Sequence, residues 1–354
     1  MKSVAFTWNR KKYTIAQNQP PFVIAEAGVN HNGDMKLAKE LIDIAKDVGA
    51  DFVKFQTFHP REMATPTGPS AQYIKRESPQ AKSWYKLLEE LTLPDSAFEE
   101  LLDYCKKKGI VFLSTPYDNK SADLLDKIGV PMFKIASTDT NNLPFIEYVA
   151  RKGKPMIIST GLSTLQEAQD AVGASRKAGN DKVIIMQCTS NYPASIEAAN
   201  IKVISTYHDK LGVLVGYSDH TNGELCAILA VGQGAVLFEH HFTIDKNLPG
   251  PDQKASADPE EMKRYIKAIR DAYVALGTGV KRIMPEEKLT KPRMQKSLTA
   301  TRNIRRGEII TKEDILIRRP ATGILPKRLK EVIGKKAARN ILADKPIKQS
   351  DIVW

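Results

Sequence analysis

The chain has 354 residues, 42% hydrophobic and 27% charged, the composition of a globular protein with room for one large domain and a small one. No apolar run approaches the length of a membrane span. The net charge of +12 lies entirely in residues 281–354, where 20 Lys+Arg face 8 Asp+Glu; Trp354 is the only aromatic there, which disfavours a stacking platform for nucleic acid.

The opening, MKSVAFTWNRKKYTIAQNQPP, has neither the apolar core nor the cleavage site of a signal peptide, and residues 1–21 read as a β-hairpin extension. Cys105, Cys188 and Cys226 are widely spaced, so a reduced, cytoplasmic protein without a disulfide frame is expected. Eight short apolar runs follow: 22–28, 52–57, 111–116, 132–137, 155–160, 183–188, 213–218 and 235–242. Most are apolar on both faces, as parallel strands buried between helices are. After the first run, Leu37, Leu41, Ile44, Ala45 and Val48 mark a helix face ending at Gly49. Asp95 is placed as the cap of another helix, with Phe98, Leu101, Leu102 and Cys105 inward, three lysines at its end and Gly109 beyond. The stretch 58–94, holding Pro60, Pro66, Pro69 and Pro79, is expected to be a long βα loop over the site. The run 259–276 reads as the eighth helix.

Eight β-α units in about 250 residues make a closed (β/α)8 TIM barrel the expected α/β fold. A doubly wound sheet would not need eight strands. The domains are therefore 1–280, a charged, Pro-broken linker at 281–297, and a small β-rich domain at 298–354 with short alternating runs punctuated by Gly307, Gly323 and Gly334.

In such barrels chemistry sits at the C-terminal strand ends. Those ends carry Glu26 and Asn30-His31-Asn32; Lys54 and Gln56; Ser114, Thr115 and Tyr117; Lys134, Ser137 and Asp139; Ser159 and Thr160; Gln187, Thr189, Ser190 and Tyr192; Ser218, Asp219 and His220; Glu239, His240 and His241. Alternation puts Lys54 with Gln56, Ser218 with His220, and Glu239 with His241. Lys54 and Lys134, both inside apolar strands, call for an anion between them, and Thr115, Ser137, Ser159 and Ser218 supply hydroxyls for a phosphate or carboxylate. GYSDHT (216–221) and FEHHFT (238–243) bring His220 near His240 or His241, the start of a divalent-metal site. Glu26 is a candidate proton-transfer group. Together these residues point to a metal-dependent enzyme acting on a small phosphorylated anion. A non-catalytic binder of anionic glycan or nucleic acid through the basic tail is the competing class, and it leaves the polar strand ends unexplained.

The motifs FVIAEAGVNHNGD, ADFVKFQTF, FLSTP, FKIAS, NNLPFIE, KPMIISTG, QCTSNYP, GYSDHT and EHHFT with PGPD, in this order, resemble the sialic acid synthases, and the tail resembles their C-terminal antifreeze-like (SAF) domain. The resemblance implies condensation of phosphoenolpyruvate with an N-acyl hexosamine, N-acetylmannosamine first, to a nine-carbon 2-keto acid with loss of phosphate. Legionaminic or pseudaminic acid synthesis on a modified dideoxy aminosugar is the alternative. It implies a divalent cofactor, Mn2+ before Mg2+ or Co2+, on His220 and His241. Lys54, Thr115, Lys134, Ser137, Ser159 and Ser218 would hold phosphoenolpyruvate, and Gln56, Asp139, Tyr192 and Asp252 would hold the sugar. It further implies a homodimer whose small domain crosses to the partner, with Arg319 meeting the N-acyl group in trans. Thr138-Asp139 stands where members often carry Gly-Glu, and Ser190 where some carry asparagine.

Overall fold

The computed structural model describes residues 3–65 and 83–354. Contacts divide it into two compact units, Met1–Gly277 and Thr278–Trp354.

In the first unit, β1 (Ser3–Trp8) and β2 (Lys11–Ala16) form the expected antiparallel hairpin. Every second residue of β1 is buried: Val4, Phe6 and Trp8. Phe6 stacks on Tyr13 and meets Phe52, the first residue of a barrel strand, so the hairpin covers the N-terminal end of the sheet.

The eight strands are β3 (Phe22–Gly28), β4 (Phe52–Thr57), β5 (Val111–Pro116), β6 (Phe133–Ile135), β7 (Met156–Ser159), β8 (Val183–Cys188), β9 (Leu214–Asp219) and β10 (Leu237–His241). All neighbours pair in parallel, in the order β5-β4-β3-β10-β9-β8-β7-β6. The ends of that order, β5 and β6, lie side by side without a ladder, closing the sheet into a TIM-like near-barrel. The expected strand 132–137 is shorter than its apolar run. Ser137–Asp139 turn into a 3-10 helix, because Ser137 and Asp139 leave the strand for the loop that follows it.

The helices obey their local chemistry. Asp34 accepts from the backbone of Lys36 and Leu37 and starts the helix Met35–Asp47, whose buried stripe is Ala38, Leu41, Ile42 and Ala45. That stripe is rotated from the expected face, leaving Leu37, Ile44 and Val48 half-buried. Asp95 is the first residue of its helix, Asp95–Lys108, rather than its cap; Pro94 holds the cap position. Asp258 and Glu261 form a capping box at the head of the helix Pro259–Leu276. No helix among the described residues is long and apolar enough to cross a membrane. Of the expected long loop, residues 66–82 with Pro66, Pro69 and Pro79 lie outside the described residues. Residues 60–63 and 84–91 are helical.

The second unit begins with two short helices at Pro285–Lys288 and Lys291–Met294, inside the stretch expected as a linker. β11 (Ser297–Ala300) pairs with β12 (Ile315–Arg318), and β13 (Lys336–Ala337) with β14 (Ile352–Val353), all antiparallel. The core of this unit is a compact set of isoleucines with Leu298, Ala300, Val332 and Ala337. Gly323 is required there: a Cβ would stand 2.6 Å from the Ile347 carbonyl.

Candidate active site

A cavity of about 690 Å³ opens at the C-terminal strand ends. It is lined by every residue to which the family resemblance gives a role except Arg319, which is exposed in the second unit; of the other strand-end residues, Asn30, Asn32, Thr160, Asp219 and His240 are among those that do not line it. Register explains the convergence. Lys54, Glu26 and His241 lie level on three neighbouring strands, and Ser218 lies level with Glu239.

At the floor, Lys54 Nζ stands 2.7 Å from Glu26 Oε2 and donates to Thr115 Oγ1 at 3.0 Å. Lys134 Nζ donates to Ser159 Oγ at 2.7 Å. Between the lysines lies Glu239, 3.8 Å from Lys54 and 3.5 Å from Lys134, accepting from Ser218 Oγ at 3.0 Å. The sequence reading asked for an anion between the lysines and gave Glu239 no role, although alternation had placed it on the correct face. All four charged side chains are at most 5% exposed. At that depth an unpaired charge is prohibitive, so pairing decides each protonation state. Burial pulls the Lys54 ammonium down, but Glu239 and Glu26 outweigh it and hold Lys54 above its usual range. Burial leaves Lys134 below its usual value. Burial raises Glu239, but the two lysines prevail and hold it ionised. For Glu26 burial prevails, with repulsion from Glu239, and raises the carboxyl to about 7 against the pull of Lys54. Gln56 donates to Glu26 at 3.1 Å.

The opposite wall holds the imidazoles. His220 and His241 have ring centroids 5.5 Å apart, and Tyr192 packs on both, at 4.2 and 5.4 Å. His220 Nδ1 lies 2.8 Å from the Thr189 carbonyl, an acceptor only, so Nδ1 carries a proton; burial lowers this imidazole, but Cys188 beside it prevails and raises it to about 9. Burial and the neighbouring His220 push His241 well below its usual value, keeping it neutral. Its Nδ1 is buried without a hydrogen-bond partner, 4.0 Å from Asp252 Oδ2. Burial raises Asp252 to about 6. His240 takes the other face: its Nδ1 meets the Asp219 carbonyl at 2.7 Å and its ring stacks on Tyr265.

Two buried imidazoles, the neutral His241 with an orphaned nitrogen, are the donor type a borderline divalent ion takes. Among the described residues no group of three or more His, Cys, Asp or Glu gathers in ligand geometry. Two imidazoles alone would leave most positions of an ion's shell open.

Around the rim, Ser137 Oγ accepts from Gly161 N at 2.9 Å. Gly161 was not singled out from the sequence. A Cβ there would stand 2.1 Å from Ser190 Oγ and 2.9 Å from Ser137 Oγ, so only glycine lets the two hydroxyls close over it. Asp139 also lines the rim, raised by burial above the ordinary carboxylate range. Asn30 donates to the Phe242 carbonyl and to Ser256 Oγ, Ser256 Oγ donates to the Asp252 carbonyl, and Asn32 donates to the Pro249 carbonyl. The NHN segment after β3 therefore ties down the loop that carries Asp252.

Residues 41–281 match the NeuB family and residues 295–353 the SAF domain. An N,N'-diacetyllegionaminic acid synthase of Legionella pneumophila is 43% identical over 91% of this chain and 92% of its own length. Another of Campylobacter jejuni is 40% identical over 92% and 98%. The crystal structure of an N-acetylneuraminic acid synthetase from Leptospira borgpetersenii superposes with a TM-score of 0.69 at 32% identity, covering 82% of this chain and 95% of that one. With its barrel, its two-sided polar site and these matches, the chain belongs to the NeuB family of sialic acid synthases and carries their SAF domain.

Proposed function

We propose that the protein condenses phosphoenolpyruvate with an N-acyl hexosamine to a nine-carbon nonulosonic acid and releases phosphate by C–O cleavage. The observation that carries this reading is one cavity with two chemically different walls: buried lysines among hydroxyls on one side, a pair of imidazoles on the other. The two relatives named as diacetyllegionaminic acid synthases favour a doubly N-acetylated sugar over N-acetylmannosamine as the acceptor.

In this reading Lys54 with Thr115, and Lys134 with Ser137, Ser159 and Ser218, bind the carboxylate and phosphate of phosphoenolpyruvate, and charge-assisted bonds of this kind are the strong ones. His220 and His241 would hold a divalent ion, Mn2+ or else Mg2+ or Co2+, which would supply Lewis-acid polarisation of the sugar aldehyde. Gln56, Asp139, Tyr192 and Asp252 orient the sugar so that its aldehyde carbon faces carbon 3 of phosphoenolpyruvate. Carbon 3 attacks the aldehyde carbon, the aldehyde oxygen takes a proton, and carbon 2 becomes cationic. Water adds at carbon 2 and gives up a proton, for which Glu26, with its carboxyl near 7, is the matched acceptor. The tetrahedral centre then expels phosphate, whose charge the lysines stabilise as the C–O bond breaks. In a homodimer, Arg319 of the small domain reaches the partner's site and meets the N-acyl group.

Phosphate release from phosphoenolpyruvate tests the reading. It requires both an N-acyl hexosamine and a divalent ion, and it stops in chelator. Release that needs neither contradicts it.

A further inference from the structure

One side of the cavity differs from the rest. The loops after β6, β8 and β10 line it with Asp139, Ser190, Asn191 and Asp252, whereas the segments after β3 and β4 line it with Val29, Met63, Trp84, Leu88 and Leu91. These apolar residues belong to a cluster separate from the barrel core, in which Leu87, Leu88 and Leu91 of the helix Trp84–Leu91 pack on Val29 and Phe58. Leu88 and Leu91 are 2% and 5% exposed. The bare structural purpose of that helix is to bury its own stripe. It does so against the strand-end residue Val29, so that the apolar surface also forms a wall of the cavity.

The wall has a definite place along a bound sugar. His241 stands 4.0 Å from Asp252. A Cβ on Gly28 would lie 3.6 Å from Asp252 Oδ2 and 3.3 Å from Gln56 Nε2, and Val29 is the next residue. A sugar with its aldehyde at the imidazoles and its chain running past Asp252 and Gln56 would head towards Val29 and the apolar wall.

Resting on the synthase reading above, we propose that Val29, Met63, Trp84, Leu88 and Leu91 form a specificity surface that selects a methyl group on the part of the sugar remote from the aldehyde. A hydroxymethyl or hydroxyl placed against the side chains of Val29, Met63, Leu88 and Leu91, away from the polar tips of Trp84 and Tyr117, would lose water without gaining a partner. Two substituents supply the required chemistry: a 6-deoxy terminal carbon and the methyl of a second N-acetyl group.

Reduced, open-chain alditols cannot react, so their binding reports the wall alone. Calorimetry on the full chain compares the alditols of N-acetylmannosamine, of its 6-deoxy counterpart and of the 2,4-diacetamido-2,4,6-trideoxy sugar. At least one methyl-bearing alditol binds about 10–100-fold more tightly than the first, the range hydrophobic pockets achieve. Which of the two gains identifies the substituent that is read. Val29→Thr, nearly isosteric, and Met63→Gln, at the rim, each narrow that ratio several-fold while the melting temperature stays within a few degrees. Equal binding of all three alditols, tighter binding of the hydroxylated one, or a ratio unchanged in both variants overturns the proposal. Phosphate release with the parent aldehydes is read separately. A binding preference without turnover on any of the three upholds the wall and contradicts the synthase reading.

Discussion

Glu26 is the residue whose environment most directly sets a role. Burial holds its carboxyl near 7 although Lys54 stands beside it. A base that accepts a proton from water must be ionised, so kcat falls as pH drops through about 7. Glu26→Gln removes that limb and lowers kcat about 10²–10⁴-fold, the usual worth of a positioned proton acceptor. A variant that keeps both kcat and the limb assigns the proton elsewhere. Much at this scale was legible in the sequence, because strand alternation alone sorts side chains between core and cavity. It put His241 with Glu239 and away from His240, and His240 does turn to Asp219 and Tyr265. What alternation does not supply is partner identity across strands. Glu239 as the anion between the two lysines, and Gly161 under Ser137 and Ser190, depend on residues 24 to 185 positions apart whose proximity only the barrel creates.

The strands and helices were the most legible elements, since each apolar run ends at a polar strand end and most helices carry a capping or C-terminal glycine signal. The exceptions have local causes. β6 stops early because Ser137–Asp139 form a turn, and Asp95 enters its helix because Pro94 occupies the cap. The loop 243–256 has no periodic pattern to read, yet it is among the best anchored. Asn30 donates to the Phe242 carbonyl just before it and to Ser256 Oγ within it, Asn32 donates to the Pro249 carbonyl, Thr243 and Gln253 bond each other, and Gln253 donates to the Asn30 carbonyl. Asn30→Ala removes its bonds to both Phe242 and Ser256 and frees the loop that positions Asp252. Steady-state kinetics then show the KM for the sugar raised about tenfold or more, by a lost pair of buried bonds, with the KM for phosphoenolpyruvate nearly unchanged. A rise in both constants alike would make Asn30 a general stabilising residue instead.

At the scale of the whole molecule, the charge asymmetry separates a neutral barrel from a basic small unit, and the boundary at Gly277 falls three residues before the one expected. Arg318 is tied to Asp344 within its own unit, and Arg319 beside it is exposed. If Arg319 completes the partner's site, Arg319→Ala and Glu26→Gln disable different halves of a composite centre. Co-expressed, the two inactive chains pair at random, and each mixed dimer regains one intact site, for about a quarter of wild-type activity. Activity no higher than that of either variant alone places Arg319 in its own subunit's chemistry or in none.

In the proposed reaction phosphate leaves by rupture of its bond to carbon after carbon 3 has joined the sugar. Phosphoenolpyruvate carrying heavy oxygen in the C–O–P bridge decides it when turned over with the preferred N-acyl hexosamine and Mn2+. The account predicts that the label appears in the released phosphate and that the nine-carbon acid is unlabelled. Label retained at carbon 2 of the sugar acid, with unlabelled phosphate, would contradict it.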